Sequence, residues 1–578
     1  MQVADTAGSL SATNARPAPW RPMAAGLLLV LIVGLLTLTP VAFILLGSFN
    51  VAKPGEAFTV GLDGWREALG GSARTLSAIG YTFLLSVRAP VAVCCGFLIA
   101  WLLIRVRVPG HRLIEFGLWL AFFLPPLPVT MGWILLADPN YGLLNEAAKS
   151  IPLIGGPVFN IYSVGGILWV HLTTTSIPIM AILLLPALRQ FNGALEESAL
   201  VSGATNGQVL RQITLPILAP AALAALIAGF IRSLEAFEVE QLLGTPANIM
   251  VYSTRIYDYI HWEPALFPPA MALSSLFLVI LFAAAVFYQR YTMGRHFATI
   301  TGRGMGQHPA AMGALRYVAS GICFLFLFVS VVVPLVMLVL GSFMLRFGFF
   351  GLAHPFTTTH WSLVISDPVF VDAVLTSVKL GLLVATTGIV LYALLAYTLL
   401  RTRVWGRGII SVLVWLPWAL PGILLGMGLL WLILSVPGIN LLYGTIGGLA
   451  LALLVKDLPL GVQMLKTAFG QVSNEMEEAS LVAGAGFLGT FRRILLPLVA
   501  PMLVNIFIWI FMSALRDIST TILLAGPSVR PLSVLMLEFA SGGSLEAAVV
   551  VGTIISTLAL LVTILFRRYG AGLAPEGN

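Results

Sequence analysis

Residues 196–216 read Glu196-Glu197-Ser198-Ala199-Leu200-Val201-Ser202-Gly203-Ala204-Thr205-Asn206-Gly207-Gln208-Val209-Leu210-Arg211-Gln212-Ile213-Thr214-Leu215-Pro216, a polar island between long apolar runs. The chain carries it twice. Residues 477–497 read Glu477-Glu478-Ala479-Ser480-Leu481-Val482-Ala483-Gly484-Ala485-Gly486-Phe487-Leu488-Gly489-Thr490-Phe491-Arg492-Arg493-Ile494-Leu495-Leu496-Pro497, and 10 of the 21 aligned positions are identical. A polar loop held this closely in two copies, within a chain that is otherwise apolar, points to a partner that meets it twice.

The surroundings of the islands set the fold class. Of 578 residues, 59% are hydrophobic and 10% charged, with a mean hydropathy of +0.98; a soluble chain carries about 25% charge. Most of this chain therefore faces lipid or other helices, and spanning helices satisfy their own backbone hydrogen bonds there. Spans need about 20 mostly apolar residues. Such runs fall at 24–46, 78–103, 114–136, 165–187, 216–240 and 267–289, and again at 316–341, 374–400, 408–434, 446–466, 497–520 and 545–566. The expectation is an all-α polytopic membrane protein with about 12 transmembrane helices.

Lys and Arg keep to the cytoplasmic side of short loops. With the N-terminus inside, inner segments collect 19 of the 31 basic residues and outer loops seven. Both termini and both islands are then cytoplasmic, and the net charge of +7 has a topological explanation that requires no nucleic acid. Residues 1–20 hold no apolar run and read as a tail.

The repeat reaches beyond the islands. Pro40 with Leu46-Gly47-Ser48-Phe49 matches Pro334 with Leu340-Gly341-Ser342-Phe343; Arg105 answers Arg401, Leu124-Pro125 answers Leu420-Pro421, and Pro220 answers Pro501. Six spans per half is an even number, so the two parallel six-helix repeats are expected to be related by a pseudo-two-fold along the membrane normal. This divides the chain into a tail (1–23), a first half (24–290, core about 78–289), a basic, Gly-rich linker (291–315), a second half (316–568, core about 374–567) and a tail (569–578).

Chemistry of other kinds leaves no mark. There is no Gly-x-x-x-x-Gly-Lys-Ser/Thr phosphate loop, no His-Glu-x-x-His, and no clustering of the seven histidines at ligand spacing. Cys94, Cys95 and Cys323 sit in apolar runs as core residues. No catalytic residue, metal site or cofactor is expected on this chain, and an enzyme is not.

Within the islands, Glu197-Ser198-Ala199, Gly203 and Ile213-x-Leu215-Pro216 recur as Glu478-Ala479-Ser480, Gly484 and Ile494-x-Leu496-Pro497 at equal spacings, each preceded by a further Glu, Glu196 or Glu477. Leu195, Ala199, Leu200 and Ser202 to Gly203 can form a short helix with an apolar and an acidic side. Gly lets the chain turn out of it, and Pro suits the first turn of the next span. This pattern resembles the Glu-Ala-Ala loop of the membrane subunits of bacterial ABC importers with the type I fold. Ser198 departs from it in the first copy and Ser480 in the second, both small for small.

The resemblance covers nearly the whole chain. Two such halves in one chain look like the fused permeases of the ferric-iron and thiamine importer group. The segments Phe237-Glu238-Val239 through Leu243-Gly244, Thr254-Arg255-Ile256-Tyr257 and Ala298 to Gly304 resemble its iron branch most. The resemblance implies a chain in the bacterial inner membrane with two copies of an ATPase subunit, bearing ATP and Mg, docked on the loops. It also implies an extracytoplasmic binding protein that delivers substrate. Ferric iron is the expected cargo, with thiamine, a polyamine or a phosphonate as alternatives in the group.

Glu235, Glu238 and Glu240 are expected in the outer half of the fifth span, with Arg516-Asp517 at the matching place in the eleventh. Two readings stand for Glu235, Glu238, Arg516 and Asp517. They line the pathway, as intramembrane charges facing a watery cavity do, with hard oxygen donors for a hard cation; or Arg232 with Glu235, and Arg516 with a neighbouring carboxylate, are structural pairs. Outer-loop Tyr257, Asp258, Tyr259, His261 and Glu263 are candidates for contact with a delivery protein. The rival class is an ion-coupled secondary transporter, which needs no twin loops and would more naturally carry coupling carboxylates in both halves. A channel leaves the loops unexplained too.

Overall fold

In the computed structural model the described residues are 20–52, 58–70, 73–106, 108–149, 151, 156–190, 193–293 and 313–570. Most of the linker and both tails lie outside them. Among the described residues, ten helices are long and apolar enough to cross a membrane: Gly26–Gly47, Ala73–Val106, Val164–Arg189, Gly207–Leu234, Phe267–Ala284, Leu315–Ser342, Pro368–Arg401, Ile446–Gly470, Leu488–Arg516 and Leu545–Leu565. Two bent pairs bring the number to as many as 12. The protein is a multi-pass, nearly all-helical membrane protein.

Pro125-Pro126 and Pro417 with Pro421 lead one to expect breaks in the spans over 114–136 and 408–434, and the structure shows both. His111–Phe123 and Pro126–Ala137 meet at 100°, and Arg407–Ala419 and Gly422–Ser435 at 109°. Pro125 and Pro126 have no N–H to offer the carbonyls of Ala121 and Phe122, and their rings clash with a continuing helix. Pro417 and Pro421 act likewise in the second half.

The two limbs of each bent pair lie along opposite ends of one long span. Ser320, in the entering part of Leu315–Ser342, donates to the Pro109 carbonyl at 2.6 Å beside the first limb. A Cβ built on Gly132 in the second limb would sit 2.1 Å from the Pro334 carbonyl oxygen, further along the same span. The other pair repeats this against Gly26–Gly47: a Cβ on Gly26 would sit 2.2 Å from the Trp405 carbonyl oxygen, and one on Gly428 2.5 Å from that of Pro40. The first span of each half thus packs across the broken third span of the other. Gly132 against Pro334 and Gly428 against Pro40 form a matched pair of crossings that only a residue without a side chain permits.

Other local features also recur between halves. Isolated bridges join Asn50 to Val60 and Met344 to Phe356 just after each first span. Ser163 and Thr445 cap the fourth spans by accepting from the amides of Gly166 and Gly448 at 3.1 and 3.2 Å. The fifth and eleventh spans end earlier than hydropathy suggested, at Leu234 and Arg516. Their final carbonyls turn to side chains instead: Arg88 donates to the Ser233 oxygen at 2.9 Å, and Ser533 to that of Asp517 at 2.7 Å. Glu235, Glu238, Glu240 and Asp517 therefore follow the spans and do not lie within them.

A side chain forced into either crossing should separate the halves. Gly428→Val is expected to cost about 1–3 kcal/mol by overpacking and to lower the thermal midpoint of the detergent-purified chain. Gly80→Val, where a Cβ meets nothing within 4 Å, should leave it unchanged; equal midpoints for the two variants would refute the crossing.

Candidate functional site

The two polar islands fold alike. Ala194–Val201 and Asn474–Val482 are short helices. Each ends on a left-handed glycine, Gly203 at φ +91° and Gly484 at φ +85°. The next amide reaches back five residues, from Ala204 to the Ala199 oxygen at 3.0 Å and from Ala485 to the Ser480 oxygen at 3.1 Å. This is the Schellman closure, in which the positive φ favours glycine. Nothing lies within 4 Å of a Cβ at either position, so backbone conformation and not crowding selects the residue.

A second short helix follows, Asn206–Val209 or Phe487–Thr490, and then one wide turn, Leu210–Thr214 or Phe491–Leu495. In that turn the Leu215 amide donates to the Leu210 oxygen and the Leu496 amide to the Phe491 oxygen. Widening the helix by one residue accommodates the ring of Pro216 or Pro497 directly after it. Ile213 and Ile494 are half-buried in these turns, while Leu215, Pro216, Leu496 and Pro497 are exposed at the start of the spans.

The paired glutamates divide their work. Glu196 lies 3.5 Å from the buried Arg105 and accepts from the Thr214 hydroxyl at 2.5 Å. Glu477 lies 3.2 Å from Arg401 and accepts from the Tyr397 hydroxyl at 3.1 Å. Arg401 also donates to the carbonyls of Phe469 and Val472 at 2.9 and 2.5 Å. The first glutamate of each pair is thus an internal tether to the end of the second or eighth span, where the repeat places an arginine. Glu478 and Ala479 are exposed; Ser480 holds the Thr490 hydroxyl at 2.9 Å. Ser198 is exposed and Ala199 half-buried; the side chain of Glu197 lies outside the described ones. On both helices a valine stands almost wholly in the open, Val201 at 90% and Val482 at 89% exposure. Sequence reasoning assigned Glu196 and Glu477 to a partner and missed Arg105 and Arg401 as their counterparts. Both arginines were already aligned as repeat equivalents, which was the available signal.

The charged residues after the fifth and eleventh spans meet where the halves join. Glu238 is within electrostatic range of Asp517, Lys456 and Arg516, and Arg232 of Asp457. Lys456 pairs with Asp517, which also accepts from the amides of Thr520 and Thr521 at 3.1 Å each. Arg232 pairs with Glu235 at 2.6 Å. Among the described residues Arg516 forms no ion pair with a carboxylate: it donates to the Phe122 carbonyl oxygen at 2.7 Å and lies over the Phe122 ring. That oxygen is one of the two orphaned by Pro125 and Pro126, so an arginine of one half caps the broken helix of the other. Glu240 instead joins Arg88 at 3.4 Å and His171 at 2.8 Å in a buried triad of the first half. Among the described residues no group of three or more His, Cys, Asp and Glu stands close enough to hold a metal ion.

The sequence pattern of the family described as "Binding-protein-dependent transport system inner membrane component" matches residues 388–573. The chain is 24% identical over 403 residues to a ferric transport system permease protein, FbpB, of Actinobacillus pleuropneumoniae, covering 67% of this chain and 56% of that one. The match thus spans little more than half the length of this relative. A second Fe(3+)-transport system permease protein, FbpB 2 of Haemophilus influenzae, is 21% identical over 563 residues, 95% of this chain and 99% of that one. Among solved structures, a bacterial ABC transporter involved in the import of the acidic polysaccharide alginate aligns at a TM-score of 0.41 and 24% identity, over 47% of this chain and 94% of that chain.

The tethers can be tested by a double-mutant cycle. Arg401→Ala and Glu477→Ala should each lower the thermal midpoint, and together by less than their sum, with a coupling of about 1–3 kcal/mol. Strictly additive losses would show that the two do not interact. Arg516→Met should cost about 1.5–3 kcal/mol by stranding the Phe122 carbonyl, read in the same assay; no loss would refute the cap.

Proposed function

We propose that this chain, a member of the inner-membrane components of binding-protein-dependent transport systems, is the permease of an ATP-driven importer. The observation that carries this reading is the pair of matched short helices, each tethered through its first glutamate and presenting a bare valine outward. Exposed apolar side chains on each polar loop, Leu200 with Val201 and Met476 with Val482, suit a protein partner, and two equivalent mounts suit two copies of it. With no phosphate loop on the chain, that partner is the ATPase subunit, and ATP and Mg belong to it. The excess of Lys and Arg on the loop side makes that side cytoplasmic, with both termini.

In this mechanism closure of the two ATPases draws the short helices together. The tethers pass the motion to the second and eighth spans, and the crossings Gly132–Pro334 and Gly428–Pro40 make each half carry the other's broken helix. The halves, related by a pseudo-two-fold along the membrane normal, thereby alternate between openings to the two sides. An extracytoplasmic binding protein supplies the cargo to the face opposite the loops. Ferric iron is the cargo we favour, on the strength of the two ferric permeases to which the chain is similar.

Charge reversal at the second glutamate of each loop, Glu197→Lys with Glu478→Lys, should release the ATPase from purified complexes and abolish uptake of radioactive ferric iron, with the chain still inserted. Uptake that continues undiminished and follows the membrane potential would identify an ion-coupled carrier instead.

A further inference from the structure

On the face opposite the loops, the two halves line a half-open cavity of about 270 Å³. The first half contributes Tyr257 and His261, from the helix Tyr252–His261. The second contributes the turn Ala525-Gly526-Pro527, Arg530, and Glu538 from the helix Leu532–Ser541.

Three of its lining side chains, Tyr257, His261 and Glu538, carry atoms able to ligate a cation. His261 Nδ1 lies 3.0 Å from the Tyr257 carbonyl oxygen. A carbonyl only accepts, so Nδ1 carries the hydrogen and the neutral ring keeps its lone pair on Nε2. Fixing the tautomer of a ligating imidazole through a backbone carbonyl is a common supporting contact in metal sites. The Tyr257 and His261 rings lie together, with centroids 3.8 Å apart. Glu538 lines the same cavity from the second half. Arg530 holds Glu538 at 3.4 Å, both side chains being partly exposed. The carboxylate therefore already has a cation beside it, which an incoming one must displace.

We propose that this cavity receives the cargo from the binding protein, with Tyr257 Oη, His261 Nε2 and a Glu538 carboxylate oxygen ligating ferric iron. As the iron–oxygen bond forms, the Tyr257 proton passes to solvent and Arg530 gives up Glu538. Phenolate and carboxylate oxygens are hard donors suited to a hard cation. A site made by both halves changes shape whenever they move, which provides for release. The proposal rests on the ferric reading above.

The test uses the full chain in lipid nanodiscs, titrated with ferric citrate and followed by visible absorption, alongside radioactive ferric iron uptake in cells. A phenolate-to-iron charge-transfer band is expected in the wild type and absent in Tyr257→Phe, which keeps the ring. Glu538→Gln and His261→Ala should weaken iron binding by at least about tenfold, and all three variants should slow uptake. If the wild type imports ferric iron yet shows no band, or if Tyr257→Phe keeps the band, the site is overturned while the ferric reading stands. If the wild type imports no ferric iron at all, the reading fails and takes the site with it.

Discussion

A proline inside a membrane helix strands a backbone carbonyl where no water can replace the lost donor, and much of this architecture answers that constraint. Pro125 and Pro126 break the third span, and the freed Phe122 oxygen is met by Arg516 from the other half. Pro216 and Pro497 follow wide helical turns that make room for their rings. The broken third spans leave room for the first span of the opposite half to cross at Gly132 and Gly428, where a methyl group would already collide. The helices bend where the sequence denies them hydrogen bonds, and the halves interlock where they bend.

The loops then connect this interlocked body to its loop face. A short helix closed by a left-handed glycine is a weak element alone. Tied by Glu196 to Arg105, or by Glu477 to Arg401, it becomes an extension of a long span. Arg105 is buried and Arg401 largely so, and removing one partner of such a pair would leave a poorly compensated charge. A push on the exposed valine is thus transmitted along a helix instead of being absorbed by the loop.

Much of this was legible in the sequence, because hydropathy, charge bias and the repeat are local signals. The islands, ten of the spans and the breaks at Pro125, Pro126, Pro417 and Pro421 can all be read from residues close together in the chain. What could not be read depends on which residues meet after the chain folds back. Glu196 and Arg105 are both visible at membrane edges, but nothing local says that they pair. Arg516 reads as a partner for a carboxylate, and only the fold shows that a proline-freed carbonyl claims it. Hydropathy also carried the fifth and eleventh spans past Leu234 and Arg516, since Phe237, Val239 and Ile518 are as apolar as a span although the helix is interrupted after Leu234 and ends at Arg516. Tyr257 and His261 stand out in the sequence, whereas Glu538 and Arg530 reach them only across the join.

The contact between Arg516 and Phe122 has no counterpart in the other direction, because the position matching Arg516 is Glu235, and a carboxylate cannot donate to a carbonyl. Two copies of the first half would leave that oxygen unmet on both sides, and two copies of the second would have no first-half oxygen for their arginines to meet. Duplication produced equals that have since become complementary, like a lock and key cut from one blank. Neither half can stand in for the other, and having both on one chain ensures that they are made in equal number and side by side.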